Sequence, residues 1–249
     1  MNIFSSKGPK FAFRVFKNPS LSAGAPKAYP IPMARMKAIE KLVRSAERDH
    51  MDLGSFTPFG NVEKNTFFME NQIVYSPTTP EETVALLADI RNRDFLKRMP
   101  ALNAVDLGSG AGGFVHYMAE YMSRFTDLKF SITGIEKDED FVLDAAKIAG
   151  EMSVRNVKFI CGDFTKVLTA NELKDKNFFY LNQGLKNEDF EKALNDFLPR
   201  IPAGAVLVTR YCDRLDVLNS DFFEKKYHPL EDFEDYGQDF TLFVRTMRK

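Results

Sequence analysis

The sequence predicts an α/β fold in which helices cover both faces of a doubly wound, mostly parallel sheet, preceded by a helical and irregular N-terminal extension. Two observations carry this prediction. From residue 104 onward, short apolar runs alternate with longer segments whose apolar residues recur at helical spacing. Such alternation gives a parallel sheet with helices on both sides. In addition, a glycine-rich turn directly follows the first of these strands, where sheets of this kind bind ligands.

The N-terminal extension is predicted to contain one helix. Apolar residues from Met36 to Ala46 recur at helical spacing within residues 33–50. The stretch before it is rich in proline, glycine, serine and lysine, so it is not expected to form a packed core. We therefore expect residues 1–64 to be a basic, proline-rich extension and residues 65–249 to be the α/β domain.

The helix before the sheet has a specific start signal. Thr79 is predicted as its N-cap, with Pro80 at the first helical position and Glu82 three residues after the cap. This is a capping box in which the missing N–H of proline costs nothing. The helix is predicted to end near Arg93. Further strands are predicted over residues 104–107, 130–135, 157–161, 178–181, 205–211 and 241–247, and the helices between them over residues 113–124, 139–151, 170–173 and 188–198.

Charge is unevenly distributed along the chain, although the net charge is only -1. Residues 1–37 contain seven Lys and Arg residues and no acidic residue. Such a segment could contact a nucleic-acid backbone, an acidic protein surface or anionic lipid, could target an organelle, or could be a solvated tail. No apolar run approaches the ~20 residues that span a bilayer. We expect a cytoplasmic protein, or an organellar one if the basic segment is a targeting signal.

Cysteine and histidine usage argues against a disulfide framework and a metal site. Cys161 and Cys212 are too few and too far apart for either, and they indicate a reducing compartment. The three histidines, His50, His116 and His228, show no metal-ligand spacing. We therefore expect no metal.

The most informative stretch runs from Val105 to Phe114. Asp106 precedes the glycines of a strand-to-helix turn, and two further acids, Glu136 and Asp163, end or follow the next two strands. Glycine lets a backbone come close to a ligand, and carboxylates favour a cationic ligand over a phosphate. The pattern predicts a site for S-adenosylmethionine, which has a ribose, an adenine and a cationic aminoacyl group but no phosphate.

Each acid has an expected partner on that cofactor. Asp106 is expected near the ammonium group, and Glu136 is expected to accept both ribose hydroxyls. Asp163 is expected to accept from the adenine amine while Phe164 packs on the ring. Each acid could instead be an ordinary strand-end, turn or helix-capping residue. The remaining predicted cofactor-binding residues in this part of the chain are Gly108, Ser109 and Gly110 in the turn, Gly113 where the helix packs on the strand, and Lys137.

A dinucleotide-binding enzyme is the main alternative for the glycine turn. Its fingerprint shares the glycines and places an acid about twenty residues further on, a spacing that Glu136 approximates. However, Asp106 would repel a pyrophosphate lying over the turn. The acid before the glycines therefore favours a cationic ligand.

A family resemblance rests on five segments within residues 72–215: Tyr75-Ser76-Pro77-Thr78, Asp106-Leu107-Gly108-Ser109-Gly110, Gly134-Ile135-Glu136, Gly162-Asp163-Phe164 and Tyr180-Leu181-Asn182-Gln183. They resemble class I methyltransferases, which use S-adenosylmethionine and have a Rossmann-like, seven-stranded sheet. Within that class the chain resembles non-SET protein-lysine methyltransferases, both the histone-lysine type named for disruption of telomeric silencing and its mitochondrial and prokaryotic relatives. The resemblance implies that Tyr75 and Thr78 close over the cofactor and that Asn182 lies beside the transferring methyl. Tyr75 and Asn182 are thus the predicted catalytic residues, although an ordinary loop and a turn residue are the alternatives.

The acceptor is the least determined part of this prediction. A lysine acceptor has a free pKa of ~10.4 and must lose a proton, which an apolar channel promotes by desolvation. Phe179, Tyr180 and Tyr211 could line such a channel or could be core residues. The motif Asn/Asp-Pro-Pro-aromatic, which holds adenine or glutamine acceptors, is absent. We expect methylation of lysine in a protein substrate. The alternatives are methylation of a small molecule, methylation of RNA contacted through the basic extension, and a cofactor-binding adaptor without activity.

Overall fold

The computed structural model describes residues 33–50, 56–58, 67–69, 74–75, 77–96, 99–182, 188–210, 212, 215–228 and 240–247. One compact unit runs from Met33 to Lys249. The basic segment up to Pro32 lies outside the described residues. Among the described residues, no helix is long and apolar enough to cross a membrane.

The main sheet has seven strands in the order β6-β5-β4-β7-β8-β10-β9. Its strands are β4 (Leu102–Leu107), β5 (Phe130–Glu136), β6 (Val157–Cys161), β7 (Phe178–Asn182), β8 (Val206–Arg210), β9 (Phe223–Tyr227) and β10 (Phe240–Arg245). The five strands from β6 to β8 are parallel, whereas β10 is antiparallel to both β8 and β9. A small antiparallel sheet contains β1 (Phe56–Pro58), β2 (Phe67–Met69) and β3 (Val74–Tyr75). The predicted fold class is confirmed.

Seven helices are found in the described residues: α1 (Met33–His50), α2 (Pro80–Asn92), α3 (Gly113–Phe125), α4 (Glu139–Glu151), α5 (Phe164–Val167), α6 (Ala170–Leu173) and α7 (Glu188–Phe197). Besides the three short strands β1 to β3, two elements were not expected from the sequence, namely α5 and β9. The short helix α5 is a single turn capped by Asp163. Strand β9 is an edge strand with three exposed charged residues in its middle, which obscures the alternation that predicts strands.

The order of the strands brings the predicted site residues to one edge of the sheet. The chain builds β4, β5 and β6 outward in one direction, then returns to the other side of β4 to add β7 and β8. The strand order therefore reverses between β4 and β7, and a crevice forms beyond the carboxyl ends of the strands at such a point. Asp106, Glu136 and Asn182 all lie at that edge, near or at the ends of β4, β5 and β7.

Helix α1 packs against α2, α3 and α4. Arg35 of α1 pairs with Glu120 of α3 at 2.9 Å, and Lys37 pairs with Glu81 of α2 at 2.7 Å. The sequence placed this helix in the extension, whereas the structure includes it in the same compact unit as the sheet. Where the catalytic domain begins stays a prediction.

The predicted capping box of α2 is present, and its loss has a measurable cost. Thr79 Oγ1 accepts the Glu82 N–H at 3.2 Å, and Glu82 Oε2 accepts the Thr79 N–H at 2.7 Å. We expect Thr79→Ala to lower the free energy of unfolding by about 1 kcal/mol, because it leaves a helix N–H without its acceptor. Denaturant unfolding measures the difference. Thr79→Ser keeps the hydroxyl and is expected to match the wild type, so an equal loss in both variants would contradict the capping role.

Candidate functional site

The turn between β4 and α3 is built from glycines in left-handed backbone conformations. Gly108, Gly110 and Gly112 have φ angles of 81°, 51° and 79°. The N–H groups of Gly108 and Ser109 both donate to the carbonyl of Ile135, at 2.9 and 3.0 Å. The turn is thereby tied to the end of β5. Residues with a Cβ rarely adopt these φ angles, so the backbone path itself requires glycine.

The space around the glycines shows which of them are required by close packing and which face open space. A Cβ on Gly112 would lie 2.7 Å from Phe159 Cε1, and a Cβ on Gly134 would lie 2.7 Å from Ser109 Oγ. By contrast, a Cβ on Gly108 would meet nothing within 4 Å, so this glycine faces open space. A Cβ on Gly113 would make only ordinary contacts at 3.5 Å. The sequence suggested that close packing requires glycine at this position, and the structure shows that it does not. Of these four glycines, Gly112 and Gly134 are the tightly packed ones.

Asp106 is a buried acid beside the glycine turn. The residue is 3% exposed and lies between Gly134 of β5 and Tyr180 of β7 in the sheet. In the part of the chain that the structure describes, no residue donates a hydrogen bond to its carboxylate. Burial, and to a smaller extent the nearby Glu136 carboxylate, raises the pKa of Asp106 to about 8. A buried carboxyl in this state is suited to a cationic ligand that supplies the missing donor.

Glu136 holds the two loops of the site together. Its Oε2 accepts the Gly110 N–H at 2.9 Å, and its Oε1 accepts the N–H groups of Lys137 and Asp138 at 2.7 and 3.1 Å. A carboxylate offers about four lone-pair positions, and these three hydrogen bonds already use three of them. Binding both hydroxyls of a ribose would therefore require one of these backbone bonds to lengthen. Lys137 itself is exposed beside the site.

Asp163 and Phe164 both have partners within the protein. Asp163 caps α5, with its Oδ1 accepting the Thr165 N–H at 2.9 Å and hydroxyl at 2.6 Å. The hydrogen bond from the Thr165 side chain is the main cause that lowers the pKa of Asp163. The Phe164 ring is 7% exposed and packs edge-on against Phe197 at 5.1 Å. The ring belongs to the main core cluster, and its contact with adenine stays a prediction.

A second cluster joins the loop before α2 to the end of β7. The hydroxyls of Thr78 and Tyr180 are 2.5 Å apart, and Asn182 Nδ2 donates to Thr78 Oγ1 at 3.2 Å. The Tyr180 ring stacks on Phe114 with centroids 3.7 Å apart, and burial raises the pKa of its phenol well above the usual range. Thr78 and Asn182, predicted from separate motifs, are therefore in direct contact.

Three further predictions concern Phe179 and Tyr211, which could line the acceptor channel, and Tyr75, a predicted catalytic residue. Phe179 is fully buried in the main core cluster, so it is a core residue and does not line a channel. Tyr211 lies outside the described residues. Tyr75 belongs to β3, but its side chain also lies outside them.

A buried ion pair that was not predicted lies beside this cluster. Arg210 Nη2 lies 2.6 Å from Glu82 Oε1, and Arg210 Nη1 donates to Glu82 Oε2 at 3.3 Å. Asn182 and Arg210 are direct partners in the β7–β8 ladder. A charged residue that ends an otherwise apolar strand, at the same edge as the predicted site, was the signal that could have identified it.

His116 is the most deeply buried histidine among the described side chains. His116 is fully buried in α3 and its ring lies 5.2 Å from that of Phe159. Burial lowers the pKa of His116 to about 4, so it is a neutral packed side chain at physiological pH. Across the described ranges, no group of three or more His, Cys, Asp or Glu side chains could hold a metal ion.

The glycine turn and its buried acid lie in a segment that matches a known protein family. The family profile described as "Methyltransferase domain" matches residues 99–228, just over half of the chain. The chain belongs to this family. It is a methyltransferase that depends on S-adenosylmethionine, as the sequence predicted.

Solved structures show the same fold for the methyltransferase. A methyltransferase from Geobacter sulfurreducens is similar with a TM-score of 0.51 at 17% identity, covering 89% of this chain and 92% of that one. Cofactor-bound Rv0187 from MTB has a TM-score of 0.50 at 12% identity, covering 86% of this chain and 91% of that one. No curated protein matches the sequence significantly.

The residues of this methyltransferase fit its cofactor. Asp106 supplies a buried carboxylate in need of a donor, and the open side of Gly108 leaves room for a ligand next to the turn. Ser109 Oγ is buried and has no hydrogen-bond partner among the described residues. An ammonium and nearby polar groups of S-adenosylmethionine can satisfy both side chains.

Proposed function

We propose that this methyltransferase transfers the methyl group to an amine, and that the amine is the side chain of lysine in a protein substrate. The observation that carries the proposal is the uncharged cluster of Thr78, Tyr180 and Asn182 at the end of β7. S-adenosylmethionine, when bound, supplies a methyl group on a positively charged sulfur. The protein then has to align an acceptor at about 3–3.5 Å and exclude water.

The cofactor roles of individual residues belong to this proposal. Asp106 would pair with the ammonium group, and Glu136 would accept from the ribose. Asp163 would accept from the adenine amine through Oδ2, which lies 3.4 Å from the exposed Lys166 Nζ, since its Oδ1 is bonded to Thr165. Thr78 and Tyr75 would cover the methyl-bearing end. The other proposed cofactor contacts are Gly108, Ser109, Gly110, Gly113 and Lys137.

An amine suits the acceptor side better than a hydroxyl does. A hydroxyl acceptor needs a base to take its proton during transfer. Among the described side chains around Asn182, Glu82 is committed to Arg210 and to the Thr79 N–H. Tyr180 remains a phenol because burial raises its pKa. An amine that arrives neutral needs no base at the moment of transfer, and desolvation beside this buried cluster favours the neutral form.

Asn182 has the chemistry to assist such a transfer. Its Nδ2 donates to Thr78, which fixes the orientation of the amide. An amide oxygen is an acceptor, and its partial negative charge stabilises the positive charge that moves onto the acceptor nitrogen. The family resemblance of the Tyr75–Thr78 and Tyr180–Asn182 segments supports lysine as the source of the amine. Neither cysteine forms a disulfide, which supports a reducing compartment such as the cytoplasm.

The test is incubation of a cell lysate with the enzyme and S-adenosylmethionine carrying a labelled methyl group. Protein, RNA and small-molecule fractions are separated, with and without ribonuclease, and labelled peptides are sequenced by tandem mass spectrometry. Label on lysine supports the proposal. Label that ribonuclease releases identifies RNA as the substrate, and label in the small-molecule fraction identifies a metabolite. Cofactor binding without any labelled product would indicate an inactive adaptor.

The hydroxyl of Thr78 is expected to matter for turnover. Thr78→Val removes the group that orients both Asn182 and Tyr180, so we expect kcat to fall about 10- to 100-fold through misalignment. The initial rate of methyl incorporation at saturating cofactor measures this effect. Thr78→Ser keeps the hydroxyl and is expected to remain within about threefold of the wild type. Equal rates for Thr78→Val and the wild type would remove Thr78 from the proposed site.

A further inference from the structure

We propose that the buried Arg210–Glu82 pair positions the acceptor side of the site by holding Thr78 against Asn182. The inference rests on the proposed function in one respect, namely that Thr78 and Asn182 act at the transferring methyl. The pair is a fork-shaped contact, with N–O distances of 2.6 and 3.3 Å. Its side chains are 5% and 6% exposed.

The contacts of this pair form a closed ring around the acceptor edge. Glu82 Oε2, besides bonding Arg210, accepts the Thr79 N–H at 2.7 Å. The preceding residue, Thr78, accepts from Asn182 at 3.2 Å. Asn182 and Arg210 lie opposite each other in the β7–β8 ladder. The ring thus runs from β8 through the first turn of α2 to β7 and back through the sheet.

Helix capping alone does not explain a buried arginine. The glutamate of a capping box needs only the backbone N–H, and it usually lies in a solvated first turn. Burying two opposite charges carries a desolvation cost, and apolar residues of similar volume often stabilise a protein as well or better. What the guanidinium adds is a planar fork that fixes the plane of the carboxylate it binds. Fixing Glu82 fixes the Thr79 amide and, with it, the Thr78 hydroxyl.

The pair also keeps the acceptor edge electrically neutral. A lone Arg210 at the end of β8 would repel the positive sulfur of the cofactor, whereas its bond to Glu82 compensates that charge. The Arg210 guanidinium further lies over the Phe240 ring at 5.0 Å, which restrains it from the β10 side. Arg210 is therefore a positioning residue that acts through Glu82.

The experiment uses the double variant Arg210→Met/Glu82→Gln in the full chain. Glutamine can still complete the capping box, and neither residue leaves an unpaired charge. We expect amide hydrogen exchange in the peptide spanning residues 77–83 to accelerate about tenfold or more, with no change in residues 139–151. At saturating S-adenosylmethionine, total methyl transfer into the protein, RNA and small-molecule fractions of a lysate is expected to fall about tenfold or more.

The matched control is Glu81→Gln, in the same helical turn. Glu81 pairs with Lys37 at the surface, so its loss is expected to leave exchange and transfer within about twofold of the wild type. A double variant with wild-type exchange and transfer rates would overturn the proposal. If the double variant does not fold, Arg210→Lys keeps the charge but loses the fork, and unchanged exchange in residues 77–83 of that variant would overturn it. Label on RNA or a metabolite would reject the proposed lysine substrate, while the exchange comparison would still decide the role of Arg210.

Discussion

Replacing Asp106 with Asn is expected to raise the dissociation constant for S-adenosylmethionine roughly 10- to 150-fold at pH 8. The reason is that a hydrogen bond to a charged group contributes about 1.5–3 kcal/mol, and the carboxylate is the buried charge next to the glycine turn. Isothermal titration calorimetry measures the constants directly. Asp127→Asn, an exposed acid between α3 and β5, is the control and should bind as the wild type does.

The pH dependence of cofactor affinity is a sharper form of the same prediction. Burial raises the pKa of Asp106 to about 8, so the acid is mostly protonated at lower pH and must ionise to pair with an ammonium group. An α-amino group loses its own proton near pH ~8, so affinity is expected to peak near that pH and to decline on both sides. The Asn variant should lose the acidic decline. A variant that retains it would show that another group titrates.

Unfolding without cofactor gives an independent check on Asp106. Its pKa in the folded protein, about 8, exceeds its ordinary value of 3.8. The folded state therefore binds the proton more tightly, and this contribution to stability is present in full below pH 3.8 and is lost as the pH rises through 8. At pH 9 the Asn variant should melt at or above the temperature of the wild type. A lower melting temperature would mean that the carboxylate is stabilised by the protein itself.

Gly112→Ala is expected to lower the free energy of unfolding by about 2–4 kcal/mol. Part of this cost is the left-handed conformation, at about 1–2 kcal/mol, and the rest is overpacking. The new methyl group would lie 2.7 Å from Phe159 Cε1 and 3.0 Å from His116 Nε2, and His116 is fully buried. Denaturant unfolding measures the loss.

Gly108→Ala is the matched control for packing, because it has a similar φ angle but open surroundings. We expect this variant to lose only the conformational part, about 1–2 kcal/mol. Equal losses in the two variants would show that contact with Phe159 does not constrain the turn. Since the open side of Gly108 faces the proposed ligand, Gly108→Ala is also expected to weaken cofactor binding in calorimetry.

Elements with strong local signals could be predicted from the sequence. Helix α1 and strand β6 match their predicted ranges, 33–50 and 157–161, because periodicity is set by near neighbours along the chain. The capping box of α2 likewise depends on residues three apart. Strand β9 escaped prediction because its pairing with β10, rather than an apolar alternation of its own, makes it a strand.

The contacts within the site could be predicted only in part. Positions at strand ends place Asp106 and Glu136 at one edge, which the alternation of elements implies. Which group each side chain contacts depends on residues far away in sequence. Arg210 and Glu82 are separated by 128 positions, and the orientation of Phe164 depends on Phe197 of α7. Such pairs follow from tertiary packing, which local patterns do not encode.

The carboxylate of Glu136 bonds three backbone N–H groups, from both the glycine turn and the loop after β5. These bonds form within the protein alone, so both loops are preorganised before any nucleoside arrives. Association then loses little backbone entropy, and its free energy depends mainly on immobilising the ligand and removing its water.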